Sequence, residues 1–285
     1  MALQKARIGP APHIAVDWRG SGPLLVMLHG IGGARTNWRG QLEVFGSRYT
    51  AAAWDARGYG DSDDYEGPLR FEDLCADLDR VLDSFGAEKA HILGLSMGSR
   101  VALDYYKRRP QRVATLILCS ARTAQGETEA DIEQFLGLRR RPLIDEGKST
   151  ADIAPTVAET LLGPYASGPA RLAVTASLAA LRKDSYLKAL ETVTRYRGFA
   201  EASTIQVPTL VMAGEHDRSV PPAHAMAMAQ SIPGAQLRVI PRAGHLTNIE
   251  EPDIFNAAVL AFLDRHRDIA STPAKNTATF ALHVQ

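Results

Sequence analysis

Six short apolar runs, separated by helix-patterned stretches, set the tightest limit on how this chain of 285 residues can fold. They are PLLVMLHG (23–30), YTAAAWDARG (49–58), AHILGLS (90–96), VATLILCSA (113–121), PTLVMAGEHD (208–217) and AQLRVIP (235–241). Their apolar residues are continuous rather than alternating, which predicts parallel strands covered on both faces. Between them, FEDLCADLDRVLDSFG (71–86) gathers Phe71, Leu74, Leu78, Val81, Leu82 and Phe85 on one helical stripe, turns acids and Arg80 to water, and closes with Gly86 as a C-cap. Strand alternating with helix predicts an α/β fold, a mostly parallel doubly wound sheet with right-handed crossovers and helices on both faces. In such sheets ligands bind beyond the carboxyl ends of the strands.

The rhythm breaks between 122 and 200. There ADIEQFLGLRRRPLIDEG, ADIAPTVAETLLG, ARLAVTASLAALRK and SYLKALETVTRYRGFAEA follow one another, separated by Gly, Pro and Ser, with helical patterns and no strand. The expected organisation is a core of residues 1–121 and 201–267, a helical lid inserted at 122–200 over the carboxyl edge of the sheet, and a loose tail at 268–285 rich in Thr and Ala. No internal repeat is present.

Lys plus Arg and Asp plus Glu both number 32, so the chain lacks the basic excess that phosphate backbones and anionic membranes attract. Nucleic acid is not an expected partner. The N-terminus has no signal-peptide h-region and no run is long enough to span a bilayer, which predicts a soluble, cytoplasmic protein without a membrane partner. With two cysteines, Cys75 and Cys119, a disulfide framework is not expected. Nothing in the composition bars a homo-oligomer.

One stretch departs from packing logic. In HILGLSMGSRVAL (91–103), Gly94-Leu95-Ser96-Met97-Gly98 fits G-x-S-x-G, with an apolar strand before it and a helical pattern after it. A sharp strand-to-helix turn leaves little room beside the serine, so small flanking residues are required. The turn lifts the Ser96 hydroxyl above the sheet, at a helix amino end whose dipole favours negative charge. A plain turn with a serine N-cap has the same composition, but the flanking strand and helix favour an activated nucleophile.

Such a serine needs a base, and the base needs an acid to fix its tautomer. Asp217 stands just beyond the 208–217 run and His245 just beyond the last run, preceded by Gly244. The order Ser96, Asp217, His245 brings three loops to one sheet edge. Glu215 and His216 are rivals in the same loop, and Asp131 is an alternative acid. MLHGIGGARTNW (27–38) follows a strand with a glycine-rich turn, so the backbone N–H groups of Ile31 and Met97 are the expected oxyanion donors, with His29 a prop for the loop. No nucleotide motif completes itself: Arg35 and Asp63 stand where G-x-G-x-x-G needs glycine. No histidine pair has metal-ligand spacing, so neither cofactor nor metal is expected.

These segments, with WDARGYGDSD, VPTLVMAGEHD and AGHLTNIEEPDIFNAAVLAFL, resemble the α/β-hydrolase superfamily over roughly residues 12–267. GHLTNIEEP and RRPQRVATLILCSA are similar to the 3-oxoadipate enol-lactonase and carboxylesterase group. The resemblance implies an α/β-hydrolase fold and a cofactor-free serine hydrolase that cleaves a small carboxylic ester or lactone through an acyl-enzyme. Three departures qualify it. Ser99 stands where many relatives have glycine. Leu246 follows His245 where hydrolases of ring meta-cleavage products have Trp. Ser96 replaces the aspartate nucleophile of epoxide hydrolases and haloalkane dehalogenases.

The lid contains Arg139-Arg140-Arg141, which reads either as an anchor for a substrate carboxylate or as a solvated helix end complementing the dipole. Trp38, Phe135, Tyr165 and Tyr186 are either acyl-pocket residues or packing. Two rival functions share the motifs: carbon–carbon hydrolysis or perhydrolysis on the same triad, and ligand reception by a slow-turnover relative.

Overall fold

The computed structural model describes residues 1–122 and 129–270, apart from the Asp131 side chain. The expected alternative acid Asp131 and most of the expected tail at 268–285 therefore lie outside the described residues.

Eight strands form one sheet in the order β1-β2-β4-β3-β5-β6-β7-β8. They are β1 (Gln4–Ile8), β2 (Ile14–Arg19), β3 (Leu24–Leu28), β4 (Thr50–Trp54), β5 (Ala90–Leu95), β6 (Val113–Cys119), β7 (Thr209–Gly214) and β8 (Gln236–Ile240). The six runs are β3 to β8, and they pair in parallel. The sequence reading missed β1 and β2, which add antiparallel at one edge. It also overestimated the burial of β8, whose Arg238 and Val239 are exposed because this strand ends the sheet.

The continuous apolar character of the central strands follows from two cores. Val26, Leu28, Ile92, Leu116 and Val211 face one side, where α2 (Phe71–Ser84), α3 (Met97–Arg108) and α8 (Pro222–Ser231) contribute Leu78, Val101 and Met228. Their neighbours Leu25, Met27, Leu93, Ile117 and Leu210 face the other side, against Phe45 of α1 (Arg39–Phe45) and Phe255 and Phe262 of α10 (Pro252–Asp264). Alternate residues point to opposite faces, so a strand covered twice is apolar along nearly its whole length.

Among the described residues, four α-helices lie between β6 and β7: α4 (Glu129–Ile144), α5 (Thr150–Leu161), α6 (Gly168–Ala179) and α7 (Lys183–Arg195). They build their own core from Leu136, Leu143, Val157, Val174, Tyr186 and Leu190, on which Ile31 and Leu246 of the sheet-edge loops pack. Ser149 and Asp152 form a capping box that starts α5: the Asp152 amide donates to the Ser149 hydroxyl, and the Asp152 carboxylate accepts from the Ser149 amide. A one-turn helix, α9 (Thr247–Glu250), follows the loop carrying His245.

Cys75 and Cys119 are buried free thiols, and burial pushes both well above the usual range. Among the described residues, no helix is long and apolar enough to cross a membrane.

Candidate active site

The turn from β5 into α3 holds Ser96 at φ 54° and ψ −111°, a conformation rarely tolerated outside glycine. Its surroundings enforce it. A Cβ on Gly94 would lie 2.3 Å from the Gly98 carbonyl, and one on Gly98 would lie 2.2 Å from the Leu28 carbonyl oxygen. Strand and helix thus cross too closely for any side chain at those two positions. The Ser96 amide donates to the Cys119 carbonyl at 2.9 Å. The Ser99 hydroxyl lies 2.7 Å from the Gly94 carbonyl and 3.0 Å from that of Cys119, tying the elbow to β6. That is the local use of a serine at this position.

Asp217 and His245 meet at the same rim. His245 Nδ1 is 2.8 Å from Asp217 Oδ2, and both residues are buried. The other carboxylate oxygen, Oδ1, accepts from the Ser219 and Val220 amides at 2.9 and 2.8 Å. Burial pushes the Asp217 carboxyl up, but the charge and hydrogen bond of His245, with the Val220 amide, outweigh it and hold the group below its ordinary value. The rivals point elsewhere: Glu215 is exposed and accepts from the Arg242 amide, and His216 lies beside Glu215.

Two residues that the sequence reading overlooked hold the histidine loop. Glu250 spreads its carboxylate over three amides, those of Gly163 (2.7 Å), Gly244 (3.0 Å) and Leu246 (3.1 Å). Ser120, at φ 49°, donates from its hydroxyl to the His245 carbonyl at 2.9 Å. The His245 amide in turn donates to the Leu161 carbonyl of α5 at 2.8 Å, coupling the loop to the helices above the sheet. Glu250 sat in plain view within GHLTNIEEP, but its use depends on Gly163, 87 positions away.

Ser96 and His245 line a cavity of about 560 Å³, together with Ile31, Phe135, Arg139 and Tyr186. A narrow side pocket of about 40 Å³ shares Ser96 and His245 and reaches Trp38 and Leu95. Met97 opens α3, and the first amides of a helix have no intrahelical acceptor. Ile31 lines the cavity on the loop beside it. His29 is a prop: its Nε2 accepts from the Ala56 amide at 3.0 Å, which leaves Nδ1 as donor to the Gly30 carbonyl at 2.7 Å. Burial lowers its pKa, against the pull of Asp55.

Of the aromatic candidates, Phe135 and Tyr186 line the main cavity and Trp38 the side pocket, where it also packs on Phe255. Tyr165 does not join them. It is 54% exposed in the turn between α5 and α6, near His216 and Arg242, because that turn lies outside the apolar stripe of either helix. The three arginines divide as well. Arg140 and Arg141 are exposed, facing Glu191 and Asp145, whereas Arg139 is 3% exposed and lines the cavity.

The sequence profile of the family described as alpha/beta hydrolase fold matches residues 23–252. The chain belongs to the α/β-hydrolase family. Within the family it is 30% identical to a 2-hydroxy-6-oxononadienedioate/2-hydroxy-6-oxononatrienedioate hydrolase of Pseudomonas putida, over 84% of this chain and 87% of that one. It is 25% identical to 3-oxoadipate enol-lactonase 2 of Acinetobacter baylyi, over 85% of this chain and 89% of the relative. The solved structure of a malate-bound thermophilic esterase from Thermogutta terrifontis superposes with a TM-score of 0.81 at 26% identity, covering 94% of this α/β-hydrolase and all of that chain.

Proposed function

We propose that this α/β-hydrolase is a serine hydrolase of small carboxylic esters or lactones, working through an acyl-enzyme. The observation that carries the reading is the buried 2.8 Å contact of His245 with Asp217, on the wall of a cavity that Ser96 shares. Ser96 Oγ attacks the carbonyl carbon while His245 Nε2 takes its proton. Asp217 accepts the Nδ1 proton's hydrogen bond, fixing the tautomer and stabilising the imidazolium. The amides of Ile31 and Met97 receive the oxyanion, at the positive end of α3. The imidazolium then protonates the leaving alkoxide or enolate, and water, activated by the same histidine, releases the acid and regenerates Ser96.

The four helices between β6 and β7 act as the lid of this site, and a cavity of about 560 Å³ suits a small molecule. Ester and lactone chemistry is supported by the enol-lactonase and esterase relatives. Carbon–carbon cleavage on the same triad is the second reading, favoured by the identity to the Pseudomonas putida hydrolase. Hydrolysis of short-chain p-nitrophenyl esters tests the first. Ser96→Ala should lower kcat/KM by roughly 10⁴-fold or more. Undiminished turnover by the mutant excludes Ser96 as nucleophile.

A further inference from the structure

Arg139 is an odd residue to find in an apolar core. Its helix α4 buries it against α5 and α7, where it is 3% exposed. Its polar neighbours are all neutral: Nη1 is 3.4 Å from the Phe135 carbonyl, Nη2 is 3.2 Å from the Thr160 hydroxyl, and the Tyr186 hydroxyl is within reach. The guanidinium carbon lies 3.9 Å from the centre of the Phe135 ring. Among the described residues, no carboxylate meets it. A guanidinium carries five N–H donors and keeps its charge, so burial without a counterion is costly, and an anion entering the cavity would relieve that cost. Burial does lower its pKa, as expected for a charge left uncompensated.

The cavity as a whole points the same way. Its described lining includes Arg100, Arg122, Arg139 and Arg218, and no Asp or Glu. Each of the other three donates to a backbone carbonyl: Arg100 to Val193, Arg122 to Ser219, Arg218 to Glu159 and Leu162. Asp217 stands behind His245 and is taken up by it. Arg139 therefore presents its positive charge to whatever occupies the site.

We infer that Arg139 is the specificity-determining residue of this pocket and holds a carboxylate carried by the substrate, so that the preferred substrates are esters or lactones of dicarboxylic acids. The inference deepens the serine-hydrolase reading and rests on it for the bond that reacts. A carboxylate matches the planar fork of an arginine edge and brings the missing counter-charge. A neutral ester of equal length leaves the guanidinium without a counterion. The fixed carboxylate also orients the far end of the acyl chain, presenting its carbonyl to Ser96.

Mono-p-nitrophenyl glutarate and p-nitrophenyl valerate differ at one end, carboxylate against methyl, and share their leaving group. The wild-type protein should favour the glutarate ester by about tenfold or more in kcat/KM, and Arg139→Gln should lower that ratio by about tenfold to a hundredfold, mainly through KM. Arg139→Lys keeps the charge without the fork and should fall between the two. The unfolding temperature of Arg139→Gln should match or exceed that of the wild type, since the change removes a buried uncompensated charge. No preference in the wild type, an unchanged ratio in Arg139→Gln, or a drop in unfolding temperature with both esters equally impaired overturns the proposal, the last by making Arg139 a structural tie.

A binding arm separates this inference from the reading beneath it. Glutarate titrated calorimetrically into Ser96→Ala protein should bind, and Ser96→Ala/Arg139→Gln should bind it at least about tenfold more weakly. Binding that depends on Arg139 without hydrolysis of either ester sinks the serine-hydrolase reading and keeps the anion site. Binding indifferent to Arg139 sinks the anion site.

Discussion

At Ser96 the backbone itself is an instrument of the site. A serine at φ 54° is held there by contacts that no relaxation of a flexible side chain can relieve, since the atoms facing Gly94 and Gly98 are main-chain atoms. Gly98→Ala should therefore cost about 3 kcal/mol or more of stability, at the upper end of overpacking, and should reduce ester turnover through displacement of the elbow. Chemical denaturation with parallel kinetics reads both, and a stable, fully active variant would contradict the close crossing of β3 and α3. The placement of Ser96, Asp217 and His245 at one sheet edge was legible in the sequence because each follows an apolar run. Glu250 and Ser120 could not be picked out, because what each does depends on residues brought near only by folding; Arg139 was a candidate, but the sequence could not separate it from its two arginine neighbours. RRRP looks like a solvated helix end, and Arg140 and Arg141 are one; Arg139 is withdrawn from water by the packing of α4 on α5 and α7.

The loop from β3 into α1 shows how an element under a site is held. Arg35 reaches into the sheet, placing Nε 2.8 Å from Asp17 of β2 and pairing with Asp55 and Asp61. Asp55 also accepts from the Arg35 and Asp61 amides at 2.7 and 2.9 Å, joining the loop that carries Ile31 to the end of β4. Arg35→Ala would leave Asp17 and Asp55, 1% and 0% exposed, buried without their cation. The expected loss is about 3–5 kcal/mol, measured as a lowered denaturant midpoint, and a change below about 1 kcal/mol would show that the cluster contributes little. The same ion pair explains why β2 escaped notice. IAVDWR carries an aspartate in mid-strand, which reads as polar until an arginine 18 positions later neutralises it. In β1, Lys5 and Arg7 are solvated on a sheet edge, so no apolar run marks the strand. The inner strands, covered on both sides, were legible because their burial leaves little room for polar residues, and the few present, such as His91 and Thr115, pair with each other.

Across the whole molecule, neutral buried histidines tie the fold to pH. His91 in β5 is buried beside the Thr115 hydroxyl at 2.9 Å, and desolvation pushes its pKa down to about 4. His29 is lowered as well. Each binds its proton more readily unfolded than folded, so stability is full above the unfolded value of 6.5 and declines as pH falls toward the folded one. By pH 5 the loss from His91 alone should be about 2 kcal/mol, seen as a falling unfolding temperature between pH 7 and pH 5; a flat profile would mean that these rings are solvated. Three cores and a sheet thus carry a pocket whose proposed chemistry rests on one hydroxyl. Incubation with a fluorophosphonate ester, followed by intact-mass and peptide analysis, tests this directly. One adduct per chain on the peptide containing Ser96, lost in Ser96→Ala, is the predicted result. A protein that stays unlabelled, or that is labelled equally without Ser96, contradicts the account.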